Sequence, residues 1–137
     1  SVLSERNMNW LASLPVERQL DCEGMKIVLR HASPWDEETY LYPDSPLLRD
    51  VEVPAGETLI VGHTHWPLIH KAGTGMLVNP GSVGQPRDWN PDASFATIDT
   101  VRLDFRIHRV PYDVARLQSR LLAQGWPVCA ARSRSDL

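Results

Sequence analysis

Glu57-Thr58-Leu59-Ile60-Val61-Gly62-His63-Thr64-His65-Trp66-Pro67 decides the fold. Glu57 to Val61 has the composition of a buried strand, and Gly62 lets the backbone bend at its end. Two histidines follow with one residue between them. In an extended segment residues i and i+2 point to the same side. Both imidazoles are therefore expected to aim at one spot beside the carboxyl end of a strand, where α/β folds place their chemistry. Neutral imidazole is the commonest side-chain metal ligand, so the stretch reads as the beginning of a metal site.

A second stretch lies close downstream, Asn79-Pro80-Gly81-Ser82-Val83-Gly84-Gln85-Pro86-Arg87-Asp88. Two glycines, two prolines and a serine in ten residues build tight turns and exposed amides rather than core. Between the two stretches, Leu68 to Ala72 and Gly75 to Asn79 read as a hairpin turned at Gly73-Thr74.

Upstream, Glu17 to Cys22 and Met25 to His31 read as a hairpin around Glu23-Gly24. Its second strand delivers His31 into a loop, a placement matching that of His63. Trp35 to Gly56 is acidic and proline-punctuated, with one or two helical turns expected over Glu37 to Leu41. Asp36, Glu37, Asp44 and Asp50 are ligands in principle, and none is assigned. The chain opens on a helix capped by Ser4 and closed by Pro15, with Leu3, Asn7, Trp10, Leu11 and Leu14 on one face. That face should pack against something. Downstream, Ala93 to Ile98 and Val101 to Val110 form a third hairpin, the second run alternating apolar and polar. Asp113 caps a final helix, Val114 to Gln124, ended by Gly125.

At 137 residues, 42% apolar and 23% charged, the chain fits one globular domain. A net charge of −3 argues against a general nucleic-acid binder. Seven arginines between Arg102 and Arg134 face Asp104, Asp113 and Asp136, and read as solvated surface. Cys22 and Cys129 form no metal-binding spacing and are expected to be reduced thiols of a cytoplasmic protein. No apolar run reaches the roughly 18–20 residues of a membrane span, and the first residues show neither a basic n-region nor an apolar core.

Three histidines at strand ends suit a divalent transition ion. His70 and His108 fall inside strands and read as structural. Trp66 and Trp89 flank the site and either stack on a base or pack over the loop. Arg87 either contacts a phosphate or pairs with Asp88 or another carboxylate.

Taken together, Leu29-Arg30-His31-Ala32-Ser33-Pro34, Val61-Gly62-His63-Thr64-His65-Trp66-Pro67, Asn79 to Asp88 and His108-Arg109-Val110-Pro111-Tyr112-Asp113 resemble the calcineurin-like metallophosphoesterases, in particular their small bacterial and archaeal phosphodiesterase branch. The resemblance covers nearly the whole chain. It implies an α/β fold, a β-sandwich flanked by helices, holding two divalent ions, manganese, iron, zinc or nickel. The implied reaction is hydrolysis of a phosphoester on a small molecule or nucleotide. It makes His31 and His63 look like ligands of one ion and His65 like a ligand of the other. Asn79, Gly81, Ser82 and Arg87 belong to a segment similar to one that shapes the family's site.

The family's first half supplies a DxH motif, a GD motif whose aspartate bridges the ions, and a GNH motif with an asparagine ligand and a catalytic histidine. None of the three occurs here. Two divalent ions about 4 Å apart repel by roughly 15–20 kcal/mol at an effective dielectric of 20, which neutral imidazoles do not offset. Residues 1–137 are therefore expected to be the carboxy-terminal portion of a single metallophosphoesterase domain, inactive alone, with the amino-terminal half as partner. No catalytic residue is assigned within the chain, and oligomer formation is left open. Two alternatives stand beside this: a non-catalytic scaffold of the same fold that binds a protein partner, and a single-metal binding domain. Metal content separates them.

Overall fold

Parallel strands bring three chain segments to one end of a sheet. The computed structural model describes residues 3–126; Cys129, Arg132, Arg134 and Asp136 lie outside the described residues. The strands are β1 (Glu17–Cys22), β2 (Met25–Arg30), β3 (Glu57–Ile60), β4 (Leu68–Ala72) and β5 (Gly75–Asn79) in one five-stranded sheet, and β6 (Ala93–Asp99) with β7 (Asp104–Val110) in a second. The large sheet runs β1-β2-β3-β5-β4. Its centre, β2-β3-β5, is parallel, with Leu29 opposite Ile60 and Ile60 opposite Val78. The carboxyl ends of β2, β3 and β5 thus coincide, and His31, Gly62 and Asn79 emerge side by side.

Two antiparallel hairpins flank this centre. Glu23 and Gly24 both take positive φ, 55° and 85°, the combination a two-residue type I′ turn requires and the reason glycine follows the acidic residue. The β4–β5 hairpin turns at Gly73-Thr74 in the expected register, with Ala72 opposite Gly75.

The sheet is covered on both faces, which makes the fold a mixed α/β sandwich with few helices. On one face Leu41, Leu48, Val51 and Val53 pack on Leu59, Val61, Leu68 and Leu77. On the other, Leu103 and Phe105 share a crevice with Met25, Thr58 and Met76. The loop between β2 and β3 does not form a helix over Glu37 to Leu41. The Asp36 carboxylate accepts from the amides of Glu38 (2.9 Å) and Thr39 (2.6 Å) and from the Thr39 hydroxyl (2.7 Å), a local closure that competes with helix. The helical turn lies later, a 3₁₀ helix at Pro46–Asp50 capped by Ser45. A similar closure by Asp99, which accepts from Val101 and Arg102 at 3.1 and 2.8 Å, removes Val101 to Leu103 from the strand expected there.

Helix α1 (Glu5–Ala12) is capped by Ser4, as expected, and ends at Ser13 before Pro15 is reached. It buries none of its residues, and Trp10 is 61% exposed. Its apolar face meets no core among the described residues. Helix α2 (Val114–Ala123) is capped by Asp113, with Gln124 as its C-terminal cap and Gly125 at φ 79° beyond. No described helix is long and apolar enough to cross a membrane.

Candidate metal centre

The two histidines after β3 do not sit in an extended segment, contrary to the simplest expectation. His63 has φ 64° and His65 φ 57°, left-handed conformations that cost a non-glycine residue free energy. The Thr64 amide donates to the Gly62 carbonyl at 2.7 Å across His63, a three-residue γ-turn of the strained hand. Two left-handed residues one apart send the imidazoles to different neighbours rather than to one spot.

His63 faces His31. Nε2 of His31 and Nδ1 of His63 lie 2.9 Å apart, with the rings edge to face. The backbone is joined as well, the Gly62 amide donating to the His31 carbonyl at 2.8 Å. On its other side His63 packs against Tyr40, ring centroids 4.1 Å apart. Its Nε2 is buried and has no hydrogen-bond partner among the described residues. An ion about 2.1 Å from each of two nitrogens at a right angle needs roughly 3 Å between them. The His31–His63 pair fits that requirement.

His65 points elsewhere. Its Nδ1 is 2.8 Å from the Gln85 carbonyl. A carbonyl only accepts, so Nδ1 carries the proton and Nε2 is left with its lone pair. This is the orientation given to metal-ligating histidines by their outer partners. Gln85 itself is held by its amide on the Ser82 hydroxyl at 3.0 Å, and the Arg87 amide returns to the His65 carbonyl at 3.3 Å.

Asn79 ties these turns together. Fully buried, it donates through Nδ2 to the Gly62 carbonyl at 2.7 Å and to the Thr64 hydroxyl at 2.9 Å, and accepts from the Gly81 amide at 2.9 Å. Thr64, 1% exposed, also accepts from the Trp66 amide at 3.1 Å. Gly81 has φ 80°, and a Cβ there would stand 2.8 Å from the Ser94 Cβ. Ser94 in turn anchors the loop, donating its hydroxyl to the Pro80 carbonyl at 2.7 Å and its amide to the Ser82 carbonyl at 2.9 Å. The loop's far end is pinned by β7, where Arg109 pairs with Asp88. Arg87, next to Asp88, donates to the Gln85 side chain at 3.1 Å.

After His31, the buried Ser33 hydroxyl accepts from the amides of Trp35 and Asp36 at 3.2 and 3.0 Å. Asp36 is held below the usual carboxylate range chiefly by the Thr39 hydroxyl, then by the amides of Glu38 and Thr39. His70 and His108 lie within β4 and β7, and His108 hydrogen-bonds Thr97 at 2.8 Å. Among the described residues no three of His, Cys, Asp or Glu converge as an ion-binding group. The histidine pair is thus joined by neither His65 nor a carboxylate. Tyr40, Thr64, Ser94 and the Gln85 carbonyl are parts of the arrangement that carried no signal in the residue pattern.

A family model described as the calcineurin-like phosphoesterase superfamily domain matches residues 3–102. An uncharacterized protein of Methanocaldococcus jannaschii is 31% identical over 143 residues, an alignment covering 92% of this chain and 58% of that protein. A probable metallophosphoesterase of Methanothermobacter thermautotrophicus is 34% identical over 103 residues, covering 74% and 57%. The crystal structure of a metallophosphoesterase from Sphaerobacter thermophilus superposes with a TM-score of 0.75 at 26% identity, covering 94% of this chain and 60% of that one. The chain therefore spans less than two thirds of the length of these relatives.

Proposed function

Because the chain belongs to the calcineurin-like phosphoesterase superfamily, we propose that it contributes three histidine ligands to a dinuclear centre that hydrolyses phosphomonoesters or phosphodiesters. In this reading His31 and His63 hold one divalent ion through Nε2 and Nδ1, and His65 offers Nε2 to the other. When bound, such a pair of ions supplies Lewis acidity toward a phosphoryl group and acidifies water. The carboxylates that neutralise the ions, and the remaining ligands, come from outside these residues, from an amino-terminal half of the same domain.

The observation that carries this reading is the 2.9 Å approach of His31 Nε2 to His63 Nδ1. A shared proton makes this approach an N–H···N hydrogen bond, and an ion that displaces that proton meets two nitrogens already at ligand spacing, with the Nε2 on the far side of His63 buried and without a partner among the described residues. The chain's own residues then act by placement. Asn79 and Thr64 hold the strained turns, the Gln85 carbonyl fixes the proton on His65, and Tyr40 excludes water from one face of His63. In this reading Gly81, Ser82 and Arg87 shape the wall beside His65, and the planar cation of Arg87, which donates to the Gln85 side chain, is the group offered to a phosphate.

The test is hydrolysis of a phosphodiester and a phosphomonoester with added Mn²⁺. This chain alone is compared with a form carrying upstream sequence. The extended form should turn over at least one substrate, the 137-residue chain neither, and His63→Ala should abolish the extended form's activity. Turnover that survives His63→Ala, or brisk turnover by this chain alone, would overthrow the assignment.

A further inference from the structure

We infer that the cleft between Tyr42 and Trp66 is a nucleobase subsite that takes a guanine base, resting on the phosphoesterase reading only for where the phosphate of such a ligand goes. Tyr42, Pro43, Asp44 and Trp66 line an open cleft of about 520 Å³. An aromatic lining with one charged group at this volume is the make-up of a small-ligand site. Tyr42 and Trp66 meet at 87° with ring centroids 5.9 Å apart, so the cleft has two flat walls at a right angle. A planar heteroaromatic ring laid on one wall meets the other edge-on, an arrangement aromatic quadrupoles favour. Stacking on such platforms is how proteins hold bases.

The cleft is joined to the histidines by a run of rings. Tyr42 stacks on Tyr40 at 5.8 Å and 10°, and Tyr40 lies against His63 at 4.1 Å. Trp66 directly follows His65. A ligand with its flat end in the cleft and long enough to pass Tyr40 brings its other end to the His63 side of this run. That is the shape of a nucleotide, with the base at one end and the phosphate at the other.

Charge selects the orientation and the base. Asp44 is the one carboxylate among the described residues that line the cleft and sits in the acidic stretch from Asp36 to Glu57, which repels a phosphate and turns it toward the histidines. An ionised carboxylate accepts hydrogen bonds and cannot donate. Guanine presents N1–H and its exocyclic amino group side by side, matching both carboxylate oxygens. Adenine and cytosine flank their amino group with ring nitrogen acceptors, and uracil sets its single N–H between two carbonyls.

The experiment is NMR titration of the chain, with a chelator present, by guanosine, inosine, adenosine and ribose 5-phosphate. Nucleosides carry no phosphate and the chelator removes metal, so the result is independent of whether the histidines hold ions. Guanosine should bind roughly tenfold tighter than adenosine, with inosine, which lacks the exocyclic amino group, between them. Trp66→Leu should weaken every nucleoside by about tenfold or more. Asp44→Asn, at an exposed position, should weaken guanosine roughly tenfold and leave adenosine unchanged. No nucleoside binding, equal affinity for guanosine and adenosine, ribose 5-phosphate binding as tightly as guanosine, or undiminished guanosine binding by Asp44→Asn would each overturn the inference.

Discussion

The double turn at Gly62 to Trp66 and helix α1 are both short and are held in opposite ways. The turn contains two left-handed histidines and a γ-turn, each unfavourable alone. It persists because Asn79 and Thr64, both essentially buried, bind its carbonyl, hydroxyl and amide groups from beneath. Helix α1 is unstrained, well capped by Ser4, and buries nothing. Buried side-chain hydrogen bonding backs the histidine turn, and none backs α1. At α1 the local signals suffice to form the helix and leave its apolar stripe exposed.

The largest expected effect breaks the turn. Asn79→Ala takes the acceptor from the Gly81 amide and one of two partners from each of the Gly62 carbonyl and the Thr64 hydroxyl, at a fully buried position. The expected loss is about 3–5 kcal/mol, read by chemical denaturation. A loss below about 1 kcal/mol would mean that something other than Asn79 stabilises the strained turn. The contrasting change is Leu11→Ala in α1, where a 44% exposed side chain is truncated. It should alter stability by less than about 0.5 kcal/mol, and a loss comparable to that at Asn79 would erase the distinction between the two regions.

The smallest effect sharpens the comparison from the loop that carries His31. Asp36 has a carboxyl held below its ordinary value of 3.8, first by the Thr39 hydroxyl and then by the amides of Glu38 and Thr39. A lowered folded-state pKa means that its contribution is complete above the unfolded value and is lost as pH falls through the lower folded one. The Glu38 and Thr39 amide resonances should therefore shift only below about pH 4, and Asp36→Asn should flatten that acid transition. Because the group is fully solvent-exposed, stability at neutral pH should scarcely change on substitution. Unaltered acid curves would show that these hydrogen bonds do not order the loop.

Much of the framework was legible in the residues. Glu23-Gly24 and Gly73-Thr74 marked two hairpins, Ser4 and Asp113 marked two helix starts, and alternation over Val101 to Val110 marked a half-exposed strand that forms from Asp104 onward. The misreadings share one cause. Asp36 and Asp99 draw nearby amides onto their own carboxylates, and propensity and periodicity do not register such local capture. The site was legible as residue types and as a family pattern, but not as geometry. Nothing in Gly62-His63-Thr64-His65 announces that both histidines take positive φ, because only glycine and asparagine habitually advertise that conformation. The meeting of His31 with His63 and of His63 with Tyr40 depends on strand order, which brings together residues 32 positions apart in one case.

The most direct measurement is ¹⁵N NMR of the histidine ring nitrogens during titration with Zn²⁺. His65 should carry its proton on Nδ1 before any metal is added, and His31 Nε2 and His63 Nδ1 should respond together, in one step, as the first ion binds. A proton on His65 Nε2 in the free protein, or a first ion that engages His63 and His65 while leaving His31 unchanged, would contradict that expectation.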